Sequence, residues 1–346
     1  MLTFEKHRPR WDLLLVGLSI IVMGLLVLAI RLGLADPASL PSQRLSTFAT
    51  IFLGIFFEAA PFLFLGTLAS GLTEVFLDRD VMVQLMPRNR LASAILGSCL
   101  GLIVPICDCG VIPLTRRLFR KGFPLPAGIA FLLAAPILNP ITIISTATAF
   151  GVGRMLFLRI GIGVGIAVIT GLVFSAAQTP WEILRPTPWI TAEDVDPHAN
   201  REHTHAPTLW GKLRQAFLIA TDEFFEIGRF LILGSLLAAG MQTFIQQRLL
   251  LEIAHGPLSS VVVMVALAVL LSICSTVDAF VALGFASTFS FGAVLAFLVF
   301  GPMVDIKTTL LLFRVFRRRS VAYLILIPLG LSLLAGLMLN YYLPGR

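Results

Sequence analysis

The chain has 346 residues, of which 57% are hydrophobic and 13% charged, and its mean hydropathy is +0.93. So few charges exclude a soluble domain of this size, and continuous apolar runs that can cross a bilayer exclude the alternating pattern of a β-barrel. The net charge of +7 is no sign of nucleic-acid binding, because the cations stand at the ends of apolar segments, as the positive-inside rule describes. The composition predicts an all-α polytopic membrane protein embedded in a lipid bilayer.

The first apolar segment, 13–34, follows a basic N-terminus and is longer than the apolar part of a typical signal peptide. We therefore expect a retained transmembrane helix with the N-terminus in the cytoplasm, and we assign residues 1–47 to this helix and the loop after it. The long polar stretch 178–210 predicts a cytoplasmic linker, which continues as an amphipathic lead-in to residue 221. The remaining apolar segments are 48–76, 91–114, 124–150, 155–177, 222–245, 258–289, 291–313 and 321–343.

These eight segments form two copies of one unit. Residues 127–142 and 293–308 are identical at six of sixteen positions, and each is an apolar run broken by a proline. Other matched markers stand at offsets of 166 to 168 residues and keep the same order: Glu58 with Glu226, 106–109 with 273–276, and 155–177 with 321–343. Because the order is preserved, we predict repeat 1 at 48–177 and repeat 2 at 222–346.

The cations favour inverted repeats over parallel ones. Residues 91–104 make only about half a span at ~1.5 Å per residue, and Pro105 and Pro113 then interrupt the helix. If 91–114 crossed the bilayer fully, four cations would lie outside against the charge rule: Arg116, Arg117, Arg120 and Lys121. We therefore expect 91–114 and 258–289 to be re-entrant. Each unit then crosses the membrane three times. Because this number is odd, the second unit has the opposite orientation to the first. If all nine apolar segments crossed fully, the two repeats would instead be parallel.

The break after residue 104 carries two thiols and a carboxylate, from Cys107, Asp108 and Cys109. Non-helical backbone at membrane depth is tolerated only beside protein or a water-filled cavity. Thiolates favour soft metals and metalloids, so Cys107 and Cys109 are predicted ligands, with Cys274 of the second unit as a third. The alternative is that the cysteines are small apolar residues of a membrane core, and we prefer that interpretation for Cys99.

The second break of each unit carries Asn139 in repeat 1, and Asp305 and Lys307 in repeat 2. Backbone groups freed at a broken helix bind ions or polar substrates in transporters. A charged side chain that faced lipid would cost at least ~2.5 kcal/mol, so we expect Asp305 and Lys307 to face the interior and to pair. With Asp108, these three residues are predicted to orient the polar part of a substrate. The alternatives are a packing kink at each proline and a local helix cap at Asn139.

Two matched acids, Glu58 and Glu226, are the predicted proton carriers, because an intramembrane carboxylate can relay protons. A solvated acid at the membrane interface is the alternative at each position. Glu226 stands three residues before Arg229, the spacing of a helical ion pair, and Asp278 lies in the second unit's break as a weak counterpart of Asp108. No Walker motif is present, so we predict no ATPase, no cofactor and no enzymatic reaction.

Four stretches resemble the bacterial predicted-permease family that includes YraQ-like proteins and ArsP-type organoarsenical efflux permeases: 58–62, 105–113, 135–140 and 301–307. The resemblance covers most of residues 48–343, and its Cys-X-Cys-Gly and Pro-X-X-Asn-Pro pieces are the more specific ones. It implies a multi-pass permease of the inner membrane. Some members export trivalent organoarsenicals, which bind thiolates, so the resemblance implies that Cys107 and Cys109 are ligands.

Together these features predict a secondary permease, driven by an ion gradient, with its site at the membrane midplane where the breaks of the two repeats meet. The solute would be a thiol-reactive metalloid, an organoarsenical or a sulfur-containing compound. The alternatives are a transporter or channel for transition-metal ions, a thiol oxidoreductase that uses Cys107 and Cys109, and a membrane subunit that requires a partner. The sequence leaves open the direction of transport, the coupling ion and whether the chain forms a homo-oligomer.

Overall fold

The structure is a computed structural model that describes residues 40–76, 86–87, 89–104, 106, 108–177, 209–244 and 256–342. Within these ranges the regular elements are helices, which confirms the predicted all-α class. The predicted N-terminal helix at 13–34, most of the linker 178–210, and Cys107 lie outside the described residues.

The described chain consists of two sets of six helices in the same order. The first set is α1 (Leu40–Phe76), α2 (Arg90–Ile103), α3 (Asp108–Arg120), α4 (Leu125–Leu138), α5 (Pro140–Phe150) and α6 (Arg154–Ala177). The second set is α7 (Leu209–Phe244), α8 (Pro257–Leu271), α9 (Asp278–Phe285), α10 (Phe291–Met303), α11 (Ile306–Val315) and α12 (Arg318–Tyr342). Helices at equivalent places have similar lengths, except α3 with 13 residues and α9 with 8. The first helix of each set begins before the predicted repeat boundary, because its interfacial turns continue the transmembrane helix.

Among the described residues, five helical segments are long and apolar enough to cross a membrane: α1, α6, α7, α12 and the α10–α11 segment Phe291–Val315. The pair α4–α5, bent by 41° at Asn139, makes a sixth. Three of these spans fall in each half. α2 and α8 have 14 and 15 residues, so each is shorter than the roughly 20 residues that a transmembrane helix needs. They open the two segments that are predicted to be re-entrant.

The first helices of the two halves, α1 and α7, pack antiparallel. Phe64 of α1 meets Phe224 of α7 edge-on, with ring centroids 5.8 Å apart. Gly240, near the end of α7, instead faces Phe48, near the start of α1. Rising residue numbers in one helix therefore meet falling numbers in the other. Antiparallel packing of equivalent helices is expected of inverted units, and inversion of the whole units remains a prediction.

The centre of the molecule is formed by α4 and α10, the two proline-containing helices of the sequence repeat. Every residue of α4 and nearly every residue of α10 is buried, and the two helices contact each other. Small residues allow the close packing around them: a Cβ atom at Gly101 of α2 would lie 2.6 Å from Cα of Ala135 in α4. Both central helices end at a break, so the breaks lie deep inside the protein.

Candidate functional site at the crossed helix breaks

Each half contains two helix breaks, and the helices that leave them meet helices of the other half. In the first half, the first break separates α2 from α3 and the second separates α4 from α5. In the second half, the corresponding breaks separate α8 from α9 and α10 from α11. α3 packs on α11, and α5 packs on α9. We call these two places the α3–α11 crossing and the α5–α9 crossing.

Asp305 organises the α3–α11 crossing. Its Oδ1 accepts hydrogen bonds from the backbone N–H of Thr308 at 2.6 Å and from the Thr308 hydroxyl at 2.8 Å, so the carboxylate caps the first turn of α11. Its Oδ2 accepts a hydrogen bond from Ser272 at 2.8 Å and lies 3.5 Å from Nζ of Lys307. Asp305 is 1% exposed and Lys307 3% exposed. The two charges therefore face the interior and lie within ion-pair distance.

Ser272 reaches Asp305 because its backbone is left-handed. It ends α8 with φ 47° and ψ 43°, and it is the one non-glycine residue with positive φ in the part of the chain that the structure describes. This conformation costs roughly 1–2 kcal/mol for a residue with a Cβ atom. Such strain concentrates at functional sites, and here it directs a hydroxyl at a buried carboxylate.

The Lys307 ammonium group lies among acids and thiols from both halves. Besides Asp305, it is within electrostatic range of Asp108, Cys109 and Cys274. Asp108 and both cysteines are buried, and a Cβ atom at Gly234 of α7 would lie 3.1 Å from the Cα atom of Lys307. One cation thus faces groups from the first break of each half.

Glu58 of α1 completes this group. Its carboxyl group is attracted by Lys307 and forms a hydrogen bond with Cys274, and its Oε1 is buried without a hydrogen-bond partner. We define the Lys307 cluster as Glu58, Asp108, Cys109, Cys274, Asp305 and Lys307. The cluster brings together most of the site residues that the sequence predicted.

A line of buried hydrogen bonds leads from this cluster towards the α5–α9 crossing. Asp108 Oδ1 accepts a hydrogen bond from the Ser275 hydroxyl at 3.1 Å, and the Thr142 hydroxyl donates to Ser275 at 3.4 Å. The Thr146 hydroxyl donates to the carbonyl of Thr142 at 2.7 Å, and Nη1 of Arg159 donates to the Thr146 hydroxyl at 2.7 Å. We call these five residues the polar line. It contains residues of both halves.

The polar line ends at an ion pair between Arg159 of α6 and Asp278 of α9, with Nη2 2.6 Å from Oδ2. The exposed fractions are 1% for Arg159 and 3% for Asp278. Sequence reasoning missed Arg159, although a cation within the apolar segment 155–177 is itself a signal of an interior polar site. The hydroxyls of the line carried no such signal, because serine and threonine are common in transmembrane helices.

The oxygen and the nitrogen of the Asn139 side-chain amide both form hydrogen bonds with backbone groups of the first half. Its Oδ1 accepts a hydrogen bond from the N–H of Ile141 at 3.0 Å, which caps α5. Its Nδ2 donates to the carbonyl of Ile106 at 3.4 Å, so the residue joins the two breaks of its own half. This geometry favours the helix-cap interpretation of Asn139 over direct contact with a substrate.

Glu226 lies apart from the Lys307 cluster, in a charged region shared by both halves. Its Oε1 accepts a hydrogen bond from Nη2 of Arg314 at 2.9 Å, and both side chains are partly exposed. Arg117 pairs with Glu223 at 3.2 Å, and Arg116 is within electrostatic range of Glu223 and Glu226. Cations from the end of α3 and the end of α11 thus gather on one side, which the charge rule predicts to be cytoplasmic.

The space at the α3–α11 crossing is small. A cavity of about 10 Å³ is lined by Asp108, Thr308 and the two matched prolines, Pro136 and Pro302, among others. This volume suffices for about one water molecule. Among the described residues, which omit Cys107, no group of three or more His, Cys, Asp or Glu side chains could hold a metal ion, so the predicted three-sulfur site stays a prediction.

Comparisons of the sequence with known proteins identify a family and three relatives. The profile of a family described as "Predicted permease" (ArsP_1) matches residues 44–341. The chain is similar to the UPF0718 protein YcgR of Bacillus subtilis, at 42% identity over 290 residues that cover 82% of this chain and 95% of that protein. It is also similar to the "Putative two-component membrane permease complex subunit" of Streptococcus mutans, at 36% identity over 283 residues that cover 82% and 91% of the two chains.

Over a shorter stretch, the chain is also similar to the UPF0718 protein YraQ of Escherichia coli. It extends over 159 residues at 25% identity and covers 46% of this chain and 43% of that protein. No solved structure matches the chain.

Proposed function

The chain belongs to the predicted-permease family whose profile covers residues 44–341, and from this premise we propose that it is a secondary permease whose substrate binds at the Lys307 cluster. Membership of this family indicates that the chain is a membrane permease and not an enzyme. The proposal concerns the site, the substrate class and the way the two halves move.

The observation that carries the proposal is the gathering of three carboxyl groups, two thiols and one ammonium group in the interior of a membrane protein. An ionised side chain at the centre of a transmembrane helix costs roughly 2.5–3.5 kcal/mol on insertion scales. Residues that bear this cost mark substrate and ion pathways. The cluster draws on both halves, which is where transporters built from repeats place their sites.

The composition of the cluster favours a soft, electron-poor substrate over an anion. Its acids outnumber its single cation, and Cys109 and Cys274 supply thiols, which bind soft metals and metalloids after they lose their protons. Glu58 forms a hydrogen bond with Cys274 and has an unpartnered oxygen, so we propose that it accepts the thiol proton as the S–As bond forms and the As–O bond breaks, and that it passes the proton to the departing hydroxide, which leaves as water. A trivalent organoarsenical or similar metalloid is the substrate class that we infer, with a sulfur-containing compound as the second choice.

We further propose that the two halves are inverted relative to each other and transport by alternating access. The six helices recur in order, and the equivalent helices α1 and α7 pack antiparallel. The cavity of about 10 Å³ is too small for such a substrate. We therefore propose that substrate enters when one of the two crossings opens, and that Glu226 with Arg314 belongs to the contacts that open on the cytoplasmic side.

Transport by membrane vesicles tests this proposal. Vesicles with the wild-type protein, Cys274→Ser or Cys99→Ser would be exposed to phenylarsenite, to Zn²⁺ and to a thiol-containing solute, and flux would be followed at fixed proton gradient. We expect phenylarsenite flux that Cys274→Ser lowers at least about tenfold, the effect of about 1.4 kcal/mol. The exposed Cys99 serves as the matched control and should leave flux unchanged. Flux of Zn²⁺ alone would favour the metal-ion alternative, and equal flux in both variants would contradict the proposed site.

The name of the Streptococcus mutans relative supports a second, compatible proposal, that this chain works with a partner protein. Co-purification of the tagged chain from its native membrane, followed by flux measurement with and without the co-purified protein, tests it. Full flux from the chain alone in reconstituted vesicles would contradict the requirement for a partner.

A further inference from the structure

The Arg159–Asp278 pair joins the two halves at a place separate from the Lys307 cluster. Arg159 belongs to α6 of the first half, and Asp278 begins α9 of the second. α9 packs on α5 and α10, and neither of those helices carries a charged residue. Within the described part of the chain, Arg159 is therefore the charge that faces Asp278. The two residues form an isolated charge contact between the halves.

The pair is incompletely bonded. Oδ1 of Asp278 and Nε of Arg159 are both buried without a hydrogen-bond partner. A buried polar atom without a partner raises the free energy of the state that contains it, and water would satisfy both atoms if the crossing opened. A purely structural buried pair is expected to have its remaining donors and acceptors satisfied. The arrangement of the α5–α9 crossing is thus destabilised by two polar atoms that lack hydrogen-bond partners.

The pair lies near the beginning of α6, at the opposite end of the polar line from the Lys307 cluster. Arg159 lies five residues after the first residue of α6, which is roughly 8 Å along the helix. The polar line connects it with Asp108 in the cluster through the hydroxyls of Thr146, Thr142 and Ser275. Ionisable residues in a membrane interior mark pathways of ions and polar solutes, and here buried hydroxyls connect two groups of such residues.

We propose that Arg159 and Asp278 are the gating residues of the α5–α9 crossing. Their contact closes the route from the Lys307 cluster to the membrane face at which α6 begins, and its loss opens that route. This rests on the proposed function, since a gate presupposes transport. With cations from both halves on the cytoplasmic side, the α5–α9 crossing faces the outside of the cell. Opening of the α3–α11 crossing, where Asp305 and Lys307 meet, serves the opposite side.

Sided thiol labelling tests the gate without a substrate. Ser275→Cys places a thiol between the two crossings, and labelling by a membrane-impermeant maleimide is measured in intact cells and in inside-out vesicles, with the protein lacking this substitution as background. In the Ser275→Cys protein, adding Asp278→Asn should raise labelling from outside about tenfold or more, because loss of the charge contact favours the open state. Labelling in inside-out vesicles should stay low.

Two further variants separate a gate from a structural contact. Asp305→Asn, the matched change at the other crossing, should raise labelling in inside-out vesicles and leave labelling from outside low. Arg159→Lys keeps the charge contact and should stay close to the Ser275→Cys parent. If Asp278→Asn raised labelling equally from both sides, only from inside, or not at all, the gate would be overturned. The result is independent of whether any tested solute is transported, so it can fail while the proposed function stands.

Discussion

The two crossings are built from equivalent helices but carry different chemistry. The α3–α11 crossing holds acids, thiols and Lys307, and Asp305 there is bonded to Thr308, Ser272 and Lys307. The α5–α9 crossing holds hydroxyls and one charge contact, Arg159–Asp278, in which two polar atoms lack partners. A chemically mixed site around a fully bonded carboxylate, Asp305, is suited to bind, and an incompletely bonded ion pair is suited to open. The difference supports the proposed roles, in which both crossings open in turn and the α3–α11 crossing also supplies the groups that bind the substrate.

The largest effect on stability is expected when the Lys307 cation is removed from the α3–α11 crossing. Lys307→Met would leave Asp305 buried without its cation, and breaking a buried pair in this way costs about 3–5 kcal/mol. Thermal unfolding of the purified protein in detergent should show a large loss of stability. The double variant Lys307→Met with Asp305→Asn should recover most of that stability and still fail to transport. A single variant as stable as the wild type would show that the charge at this crossing is not compensated by Lys307.

A smaller effect is expected where α1 supports the same crossing. A Cβ atom at Gly66 would collide with Cα of Gly110 in α3, whereas one at Gly54 meets nothing within 4 Å. Gly66→Ala should therefore lower stability by about 1–3 kcal/mol through overpacking. Gly54→Ala in the same helix is the control and should be neutral or slightly stabilising, because alanine favours a helix over glycine. Equal melting temperatures for both variants would mean that α1 does not fix the position of α3.

Asn139 tests whether the second break of the first half is a helix cap or a ligand. Asn139→Ala should lower stability by about 1 kcal/mol, the usual loss for an N-cap residue. Asn139→Ser keeps an uncharged oxygen that can accept from the N–H of Ile141, as serine does at other helix N-termini, and should retain most of the stability. Stability and vesicle flux would be measured together on both variants. A large loss of flux in Asn139→Ser, with stability intact, would restore the predicted role of Asn139 in substrate binding.

The smallest effect on stability is expected at the partly exposed ion pair between Arg314 and Glu226. Arg314 and Glu226 are 27% and 29% exposed and 2.9 Å apart, and ion pairs of this kind contribute about 0–1 kcal/mol. Glu226→Gln should therefore change the melting temperature little and reduce its dependence on salt. The matched change at the buried acid, Asp278→Asn, should have the larger effect on stability. The reverse order would contradict the contrast between exposed and buried charge contacts.

Much of this arrangement could be predicted from the sequence, because charges in apolar segments and shared prolines are strong signals. Asp305 and Lys307 carry a high cost in lipid, so their burial follows from their identity. The partners could not be predicted in the same way. Ser275 contacts Asp108, and Ser272 contacts Asp305, only because two chain breaks from different halves meet in space. The inversion of the repeats, the ligand role of Cys107 and the substrate remain predictions.

The central claim is that the two crossings open alternately around one polar centre, and distances between spin labels test it most directly. One label pair would occupy the exposed positions Arg120, at the end of α3, and Arg317, just after α11, and another would occupy Thr148 and Ser287, near the ends of α5 and α9. Labels attached through unnatural amino acids avoid the native cysteines, and Asp278→Asn and Asp305→Asn serve as the two triggers. We predict that Asp278→Asn lengthens the Thr148–Ser287 distance while the other pair stays short, and that Asp305→Asn does the opposite. Distances that lengthen together, or that neither variant changes, would contradict the account.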